Sequence, residues 1–593
     1  MSVTVVPDAA ARTDAAVTRV SFRFDTTGTY AACLASDGRH GLYVEAWSLA
    51  GERVSHLRLS TPGSETARTQ PVPTADGRVV VCRNGTGLHR VSLLDHAGEE
   101  IALGSVAGPG LRLIPCPPAA GWALGVSVGA DGATTLRRVD QAGMTTVATL
   151  PGVFAGGSWL DEQGRSLAGT LLRGRSATPV RIDLAEGRWT PLPGVEPAGA
   201  THLLLTGPRT GLMLAAHTGG SPTLLWSPGG GAELRPARGL PDGGRLLPLT
   251  VDPDGQRVAV RISAGAASRL ATYDPAAGVV EHLQTPAGTL QPVAGWNHAG
   301  LHVPLSRPHA PVGILTVTAR GCRVTGSAPA PHPDGWVPAH LEHLPGAAGP
   351  VEAIVYGDWR TAARLVVALH GGPEAAWSFE FDPLLQQLAD AGMAVVAPNQ
   401  RGSTGYGAAH RDALLRAWGG PDLADVAAIS EYLAAGRGPA APRPALYGIS
   451  YGAYLALLAS ATQPDRWSRC AVVAPFLSGA RLHASASPAV QRLLDRLGGC
   501  VDIDDPLGPR DVWRLAPRLR APLLVVHGDA DDVVPVTQSQ QLVRRLTTLG
   551  HPVEYREVAG GGHDPLAGPG GDDLAARISA FLRAEPHQPD ERR

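Results

Sequence analysis

The chain has 593 residues, 44% of them apolar, with 51 basic and 53 acidic side chains and a net charge of −2. That length predicts two or more domains, each with its own core. A near-neutral chain without a basic block excludes nucleic acid and anionic membrane as partners. Gly and Pro, 73 and 52 residues, stay below the disordered range and suit a fold with many tight turns.

Residues 1–16 read as an N-terminal extension. They carry no apolar signal core, and no segment approaches the apolar length of a membrane span, so a cytoplasmic protein is expected. The six cysteines (Cys33, Cys82, Cys116, Cys322, Cys470, Cys500) are scattered without a Cys-x-x-Cys pair and read as buried thiols.

Residues 17–327 show an internal repeat. A glycine after a polar turn precedes a β-rich run at Gly28, Gly77, Gly121, Gly164, Gly211, Gly255 and Gly300, at intervals of 43 to 49 residues. Helical periodicity is nearly absent. About four short strands per unit at this period mark a β-propeller blade, and seven marks predict seven blades. A Pro-, Gly- and His-rich stretch, 328–349, reads as the linker.

Residues 350–586 alternate strand-like and helix-like runs. The strands are Arg364–Leu369, Ala394–Pro398, Ala445–Tyr447, Ala471–Val473, Leu523–Val526 and Glu554–Val558. The helices are Phe381–Ala391, Leu423–Ala435, Tyr451–Thr462, Thr537–Leu549 and Asp573–Arg583. Apolar strands between amphipathic helices predict a mostly parallel sheet covered on both faces. Residues 587–593 form a tail.

The chemistry gathers at the ends of these strands. Gly448-Ile449-Ser450-Tyr451-Gly452 stands between a strand and a helix, the setting of a nucleophile elbow. A serine hydroxyl needs a base, and the base needs a carboxylate to fix its tautomer. In α/β-hydrolases these follow in the order Ser, acid, His. His563 ends a glycine run directly after the last strand. Asp529, Asp531 and Asp532 compete for the acid, and spacing does not choose among them. One oxyanion donor is the Tyr451 amide, and the other belongs to the His370-Gly371-Gly372-Pro373 loop after an early strand.

As a set, His-Gly-Gly-Pro (370–373), Asn399-Gln400-Arg401-Gly402-Ser403-Thr404-Gly405-Tyr406-Gly407, Gly-Ile-Ser-Tyr-Gly (448–452), His-Gly-x-x-Asp (527–531) and Gly-His (562–563) after a seven-bladed propeller resemble the prolyl oligopeptidase family of serine peptidases, with His-Gly-Gly-Pro closer to its acylaminoacyl-peptidase branch than to prolyl oligopeptidase proper. The resemblance implies an N-terminal propeller acting as a size filter and a C-terminal α/β-hydrolase catalytic domain. It makes Asp531 the acid and the Gly372 amide the second oxyanion donor. The implied activity is hydrolysis of amide or peptide bonds in small peptides or N-acylated amino acids, with no cofactor, no metal and homo-oligomerisation left open.

One position departs from the family pattern. Two residues beyond the acid, where peptidase branches carry an arginine or asparagine for a substrate carbonyl, stands Val533. Arg401 or Arg481 is the substitute expected from sequence, with Trp377 and Phe476 as further pocket residues. The missing anchor suggests a second fate for the acyl-enzyme, in which a biosynthetic hydrolase, acyltransferase or cyclase uses the same triad on an unusual amide, ester or thioester. A third reading is a propeller binding protein with a degenerate hydrolase domain.

Overall fold

The computed structural model describes residues 17–584 except 38–40, 52, 60–64, 175, 193–200, 218–222, 230–232, 241–244, 329–334, 502, 507 and 569. The expected N-terminal extension and tail lie outside the described residues, as does part of the expected linker. The chain divides into two compact units, Met1–Ser263 with Ser268–Pro333, and Ala264–Ala267 with Asp334–Arg593.

Among the described residues the first unit holds seven antiparallel sheets, spanning 18–58, 70–107, 111–150, 153–191, 201–236, 245–282 and 289–325. Six have four strands in sequence order and the last has five. The architecture is a seven-bladed β-propeller. Gly28, Gly77, Gly121, Gly164, Gly211 and Gly255 all fall in the turn between the first two strands of a sheet, with φ from 65 to 116°. A side chain resists that conformation, so the turn selects glycine and leaves a periodic mark in the sequence. Gly300 instead opens a strand, Gly300–Arg307, directly after Gly295–Asn297.

First and last blades are joined by side chains. Arg19 Nη1 donates to the Val312 and Gly326 carbonyls at 3.1 and 2.5 Å, while its Nε is paired with buried Glu45 at 2.6 Å. Asn297 Nδ2 donates to the Gly28 and Leu49 carbonyls at 2.8 and 3.2 Å. These bonds close the ring where no continuous strand ladder does so among the described residues.

The second unit is an α/β-hydrolase fold. Its strands are β1 (Ala339–Gly346), β2 (Gly349–Tyr356), β3 (Arg364–Leu369), β4 (Met393–Pro398), β5 (Ala445–Ile449), β6 (Cys470–Val473), β7 (Leu523–Gly528) and β8 (Val553–Val558), in the order β1-β2-β4-β3-β5-β6-β7-β8, and its helices run from α1 (Pro383–Asp390) through α2 (Ala408–Asp412), α3 (Pro421–Arg437), α4 (Tyr451–Thr462), α5 (Gly479–Ser485), α6 (Pro488–Leu497), α7 (Val512–Leu515) and α8 (Thr537–Thr548) to α9 (Gly571–Arg583). The hairpin β1–β2 joins β4 antiparallel, and every later pairing is parallel. Here the structure corrects the expected linker. Ala339–Gly346 belongs to the sheet and Gly349 opens the next strand, because every residue from Ala339 to Gly346 pairs across the hairpin with Gly349–Tyr356.

Successive strand residues feed opposite faces. Val367, Leu369, Val396, Leu446, Val472 and Val525 lie in one buried cluster, with helices α3 (Pro421–Arg437) and α4 (Tyr451–Thr462). Val366, Ala368, Val395, Tyr447, Val473 and Val526 lie in the other, with α1 (Pro383–Asp390) and α9 (Gly571–Arg583). Burial on both faces makes these strands continuous apolar runs. Register then sets the site. Leu369 of β3 aligns with Gly448 of β5, Ile449 with Val473 of β6, Val473 with Val526 of β7, and Gly528 with Val558 of β8. The segments leaving β3, β5, β7 and β8 therefore emerge at one edge, the usual ligand crevice of an open α/β sheet.

Candidate active site

Ser450 leaves β5 at φ 55° and ψ −119°, a conformation that costs a non-glycine residue about 1–3 kcal/mol. Its neighbours hold it there. The Ser450 amide donates to the Val473 carbonyl at 2.8 Å. A Cβ on Gly448 would lie 2.2 Å from the Gly452 carbonyl oxygen, and one on Gly452 would lie 2.2 and 2.4 Å from the carbonyl oxygens of Leu369 and His370. Both flanking glycines are thus fixed by backbone contact, and the second locks the elbow onto the end of β3.

His563 bridges serine and acid. Its Nε2 is 3.0 Å from Ser450 Oγ, and its Nδ1 is 2.8 Å from Asp531 Oδ2. Asp531 is fully buried in its side chain, and its Oδ1 accepts the amides of Val533 and Val534 at 2.8 and 2.9 Å. Burial pushes its carboxyl up, but hydrogen bonds from His527, His563 and Val534 together with the His563 charge outweigh it and hold the group well below the usual carboxylate range. The competitors are placed elsewhere. Asp529 Oδ1 accepts the Gly560 amide at 2.6 Å, bracing the glycine run before His563, and Asp532 is exposed.

His527 is the residue sequence reasoning passed over. The strand expected to stop at Val526 runs to Gly528, so His527 turns inward and is fully buried. Its Nε2 reaches Asp531 Oδ2 at 3.2 Å and the Val534 carbonyl at 2.9 Å, and its Nδ1 reaches Ser539 Oγ at 2.7 Å. The motif His-Gly-x-x-Asp carried the signal without saying what the histidine does.

The loop after β3 lies against the serine. A Cβ on Gly371 would sit 3.5 Å from Ser450 Cβ, in ordinary contact. The segment 399–407 braces this loop. His370 Nε2 and Ser403 Oγ are 2.7 Å apart, Asn399 exchanges bonds with the Trp377 amide and carbonyl at 2.7 and 2.9 Å, and the Thr404 amide donates to the Ala375 carbonyl at 2.9 Å. Tyr451 is buried at the start of α4. Its hydroxyl donates to Asp422 Oδ2 at 2.7 Å and accepts the Gly419 amide at 3.3 Å. Burial pushes the Asp422 carboxyl up to about 6, against the bond from Tyr451.

The expected substrate residues divide. Phe476 is buried and stacks on Tyr454 at 4.6 Å, in an aromatic cluster with Tyr451 and Trp418. Trp377 joins His370, Gly371, Phe381, Leu385 and Ile449 around a cavity of about 250 Å³ beside the β3 loop. Val533 packs its side chain on the core while its amide serves Asp531. Arg401 differs from expectation. Its Nε and Nη2 grip the two Asp425 oxygens at 2.9 Å each, and Nη2 also donates to the Pro421 carbonyl. A carboxylate buried to 1% exposure needs such a fork, so the guanidinium is committed to α3. Arg481 Nε is likewise bound to Asp511 at 2.9 Å.

Outside this edge, His483, Asp495 and Cys500 bring ligand atoms within 4.8 Å of one another. His483 Nε2 is already paired with Asp495 Oδ1 at 3.0 Å, and Asp495 is well exposed. Their separation in sequence, without a Cys-x-x-Cys or His-x-x-His step, left no motif to find.

The profile of the prolyl oligopeptidase family matches residues 377–585. Among curated proteins, the probable dipeptidyl-peptidase 5 of Emericella nidulans is 30% identical over 210 residues, 32% of this chain and 27% of that protein. The acylamino-acid-releasing enzyme of Sus scrofa is 28% identical over 232 residues, 36% of this chain and 31% of that protein. The chain thus aligns with less than a third of the length of either relative. A puromycin-hydrolyzing peptidase of Mycobacterium tuberculosis superposes with a TM-score of 0.71 at 20% identity, covering 96% of this chain and 95% of that one. The acylaminoacyl peptidase of Pyrococcus horikoshii gives 0.73 at 15% identity, covering 97% of both. At these identities the two structures share the fold.

Proposed function

With residues 377–585 belonging to the prolyl oligopeptidase family, we propose that this chain is a serine hydrolase that cleaves amide or peptide bonds of small peptides or N-acylated amino acids through an acyl-enzyme on Ser450. The observation that carries the reading is His563 held between Ser450 Oγ and Asp531 Oδ2. Ser450 Oγ attacks the substrate carbonyl as His563 Nε2 takes its proton. Nδ1–H stays on Asp531, which stabilises the imidazolium. The Tyr451 and Gly372 amides hold the oxyanion. The C–N bond breaks as His563 returns the proton to the leaving nitrogen, and water repeats the steps to release the acid. All six cysteines are free thiols, which suits a reducing compartment and supports a cytoplasmic location.

The test is a fluorophosphonate probe with an acyl-p-nitroanilide and an acyl-p-nitrophenyl ester series. Wild-type protein is labelled and active, and Ser450→Ala is neither. Undiminished hydrolysis by Ser450→Ala sinks the assignment. A second reading, acyl transfer to an amine rather than to water, is favoured by Val533 and by the commitment of Arg401 and Arg481 to carboxylates. Mass spectrometry of products with added amines separates the two, and free acid alone excludes transfer.

A further inference from the structure

His527 Nε2 hydrogen-bonds the Val534 carbonyl at 2.9 Å and lies 3.2 Å from the same Asp531 oxygen that the catalytic histidine binds. The Val534 carbonyl and Asp531 Oδ2 can only accept, so the His527 nitrogen facing both, Nε2, carries the proton. Nδ1 is then the lone pair that receives the Ser539 hydroxyl at 2.7 Å. Ser539 stands on α8 (Thr537–Thr548), so a helix fixes the ring from behind. Asp531 Oδ2 thereby faces two imidazole N–H groups, from His563 at 2.8 Å and His527 at 3.2 Å, while Oδ1 faces two amides.

We propose that His527 is a positioning residue that acts on His563 through Asp531, holding Oδ2 in place and tempering the negative charge that the imidazolium meets. This rests on the reading of Ser450 as the nucleophile. A neutral packing residue would fill the space equally well, but only an N–H donor at this point withdraws charge from Oδ2. With the donor gone, the carboxylate binds the His563 proton more strongly, and His563 stays an imidazolium, useless as a base, to higher pH. The groups facing the pair are few. His527 and Asp531 come from β7 and its loop, His563 from the loop after β8, and Ser539 from α8. Glu557 of β8 lies opposite His527 in the ladder and is bound to Gln540 and Tyr555.

The experiment compares His527→Met, which keeps bulk without a donor, with His527→Gln, which keeps an N–H. Rates of acyl-p-nitroanilide hydrolysis and fluorophosphonate labelling are measured from pH 5 to 10, with thermal melts on each protein. His527→Met should lower kcat about tenfold at unchanged KM, because an Oδ2 no longer held in place misorients His563 toward Ser450. It should also move the acid limb of both profiles up by about 0.5–1 pH unit. His527→Gln should restore the wild-type limb. A folded His527→Met with the wild-type limb overturns the proposal while wild-type labelling still stands. Absent labelling in wild type fails the nucleophile reading instead. If His527→Met does not fold, 15N-histidine spectra of the wild type decide, since a His527 ring protonated at Nδ1 rather than Nε2 overturns the proposal.

Discussion

Replacing Asp531 by asparagine separates geometry from charge, and the structure says which way the amide must lie. Oδ1 receives two backbone amides, from Val533 and Val534 at 2.8 and 2.9 Å. An asparagine that put its NH2 there would leave both unpaired, at about 2 kcal/mol each. The side-chain carbonyl therefore stays at the Oδ1 position and the NH2 takes the Oδ2 position, facing His563 Nδ1. That nitrogen must now accept, so the proton moves to Nε2 and points at Ser450 Oγ. The base has become a donor. The NH2 at that position also meets the His527 N–H, which keeps its bond to the Val534 carbonyl, so a preference of about 2–4 kcal/mol leaves roughly one molecule in thirty to one in a thousand with the productive tautomer. The lost charge opposite the imidazolium takes a further share. The expected fall in kcat is about 10⁴-fold, the scale found when the corresponding carboxylate of a serine-protease triad is amidated. The assay is kcat and KM on an acyl-p-nitroanilide, with circular dichroism to establish folding. A folded Asp531→Asn within about tenfold of wild type refutes the reasoning.

Two further outcomes follow from packing and charge. Gly452→Ala puts a Cβ 2.2 Å from the Leu369 oxygen, and backbone at the end of β3 has to yield. Stability should drop by about 1–3 kcal/mol, with kcat falling as the loop carrying Gly371 and Gly372 moves away from Ser450, and a wild-type melting temperature counts against this contact. Asp422 gives a pH signature. Its carboxyl is raised from 3.8 to about 6 by burial. Between about pH 4 and 6 the folded state holds a proton that the unfolded state has lost, so this group's contribution to stability falls as pH rises through that window and is flat above it. The full effect is on the order of 3 kcal/mol. Asp422→Asn stays neutral, so its urea-melt stability relative to wild type should climb from pH 4 to pH 7, and parallel curves would exclude the effect.

The sequence revealed those parts of the molecule that rest on local backbone demands. The first six marker glycines recur because six blade turns need positive φ, and Gly448 and Gly452 flank Ser450 because carbonyls stand where their side chains would be. Helix α4 begins and ends where its composition says, at Tyr451 and Thr462. What stayed hidden depends on partners distant in the chain. Asp531 could be told from Asp529 and Asp532 only by resemblance until His563, 32 residues on, chose an oxygen. Arg401 looked available because nothing in its neighbourhood of sequence announces Asp425, which α3 brings back to it. His527 looked like a loop residue because a strand's last two positions, His and Gly, carry no strand propensity of their own. Their extended form comes from the ladder with β8, in which His527 lies opposite Glu557 and Gly528 opposite Val558. That same ladder turns His527 toward Asp531. The step from a triad legible in outline to a tuned one is therefore made by tertiary pairing, and residues such as His527 are where sequence motifs should be reread once the strands are in register.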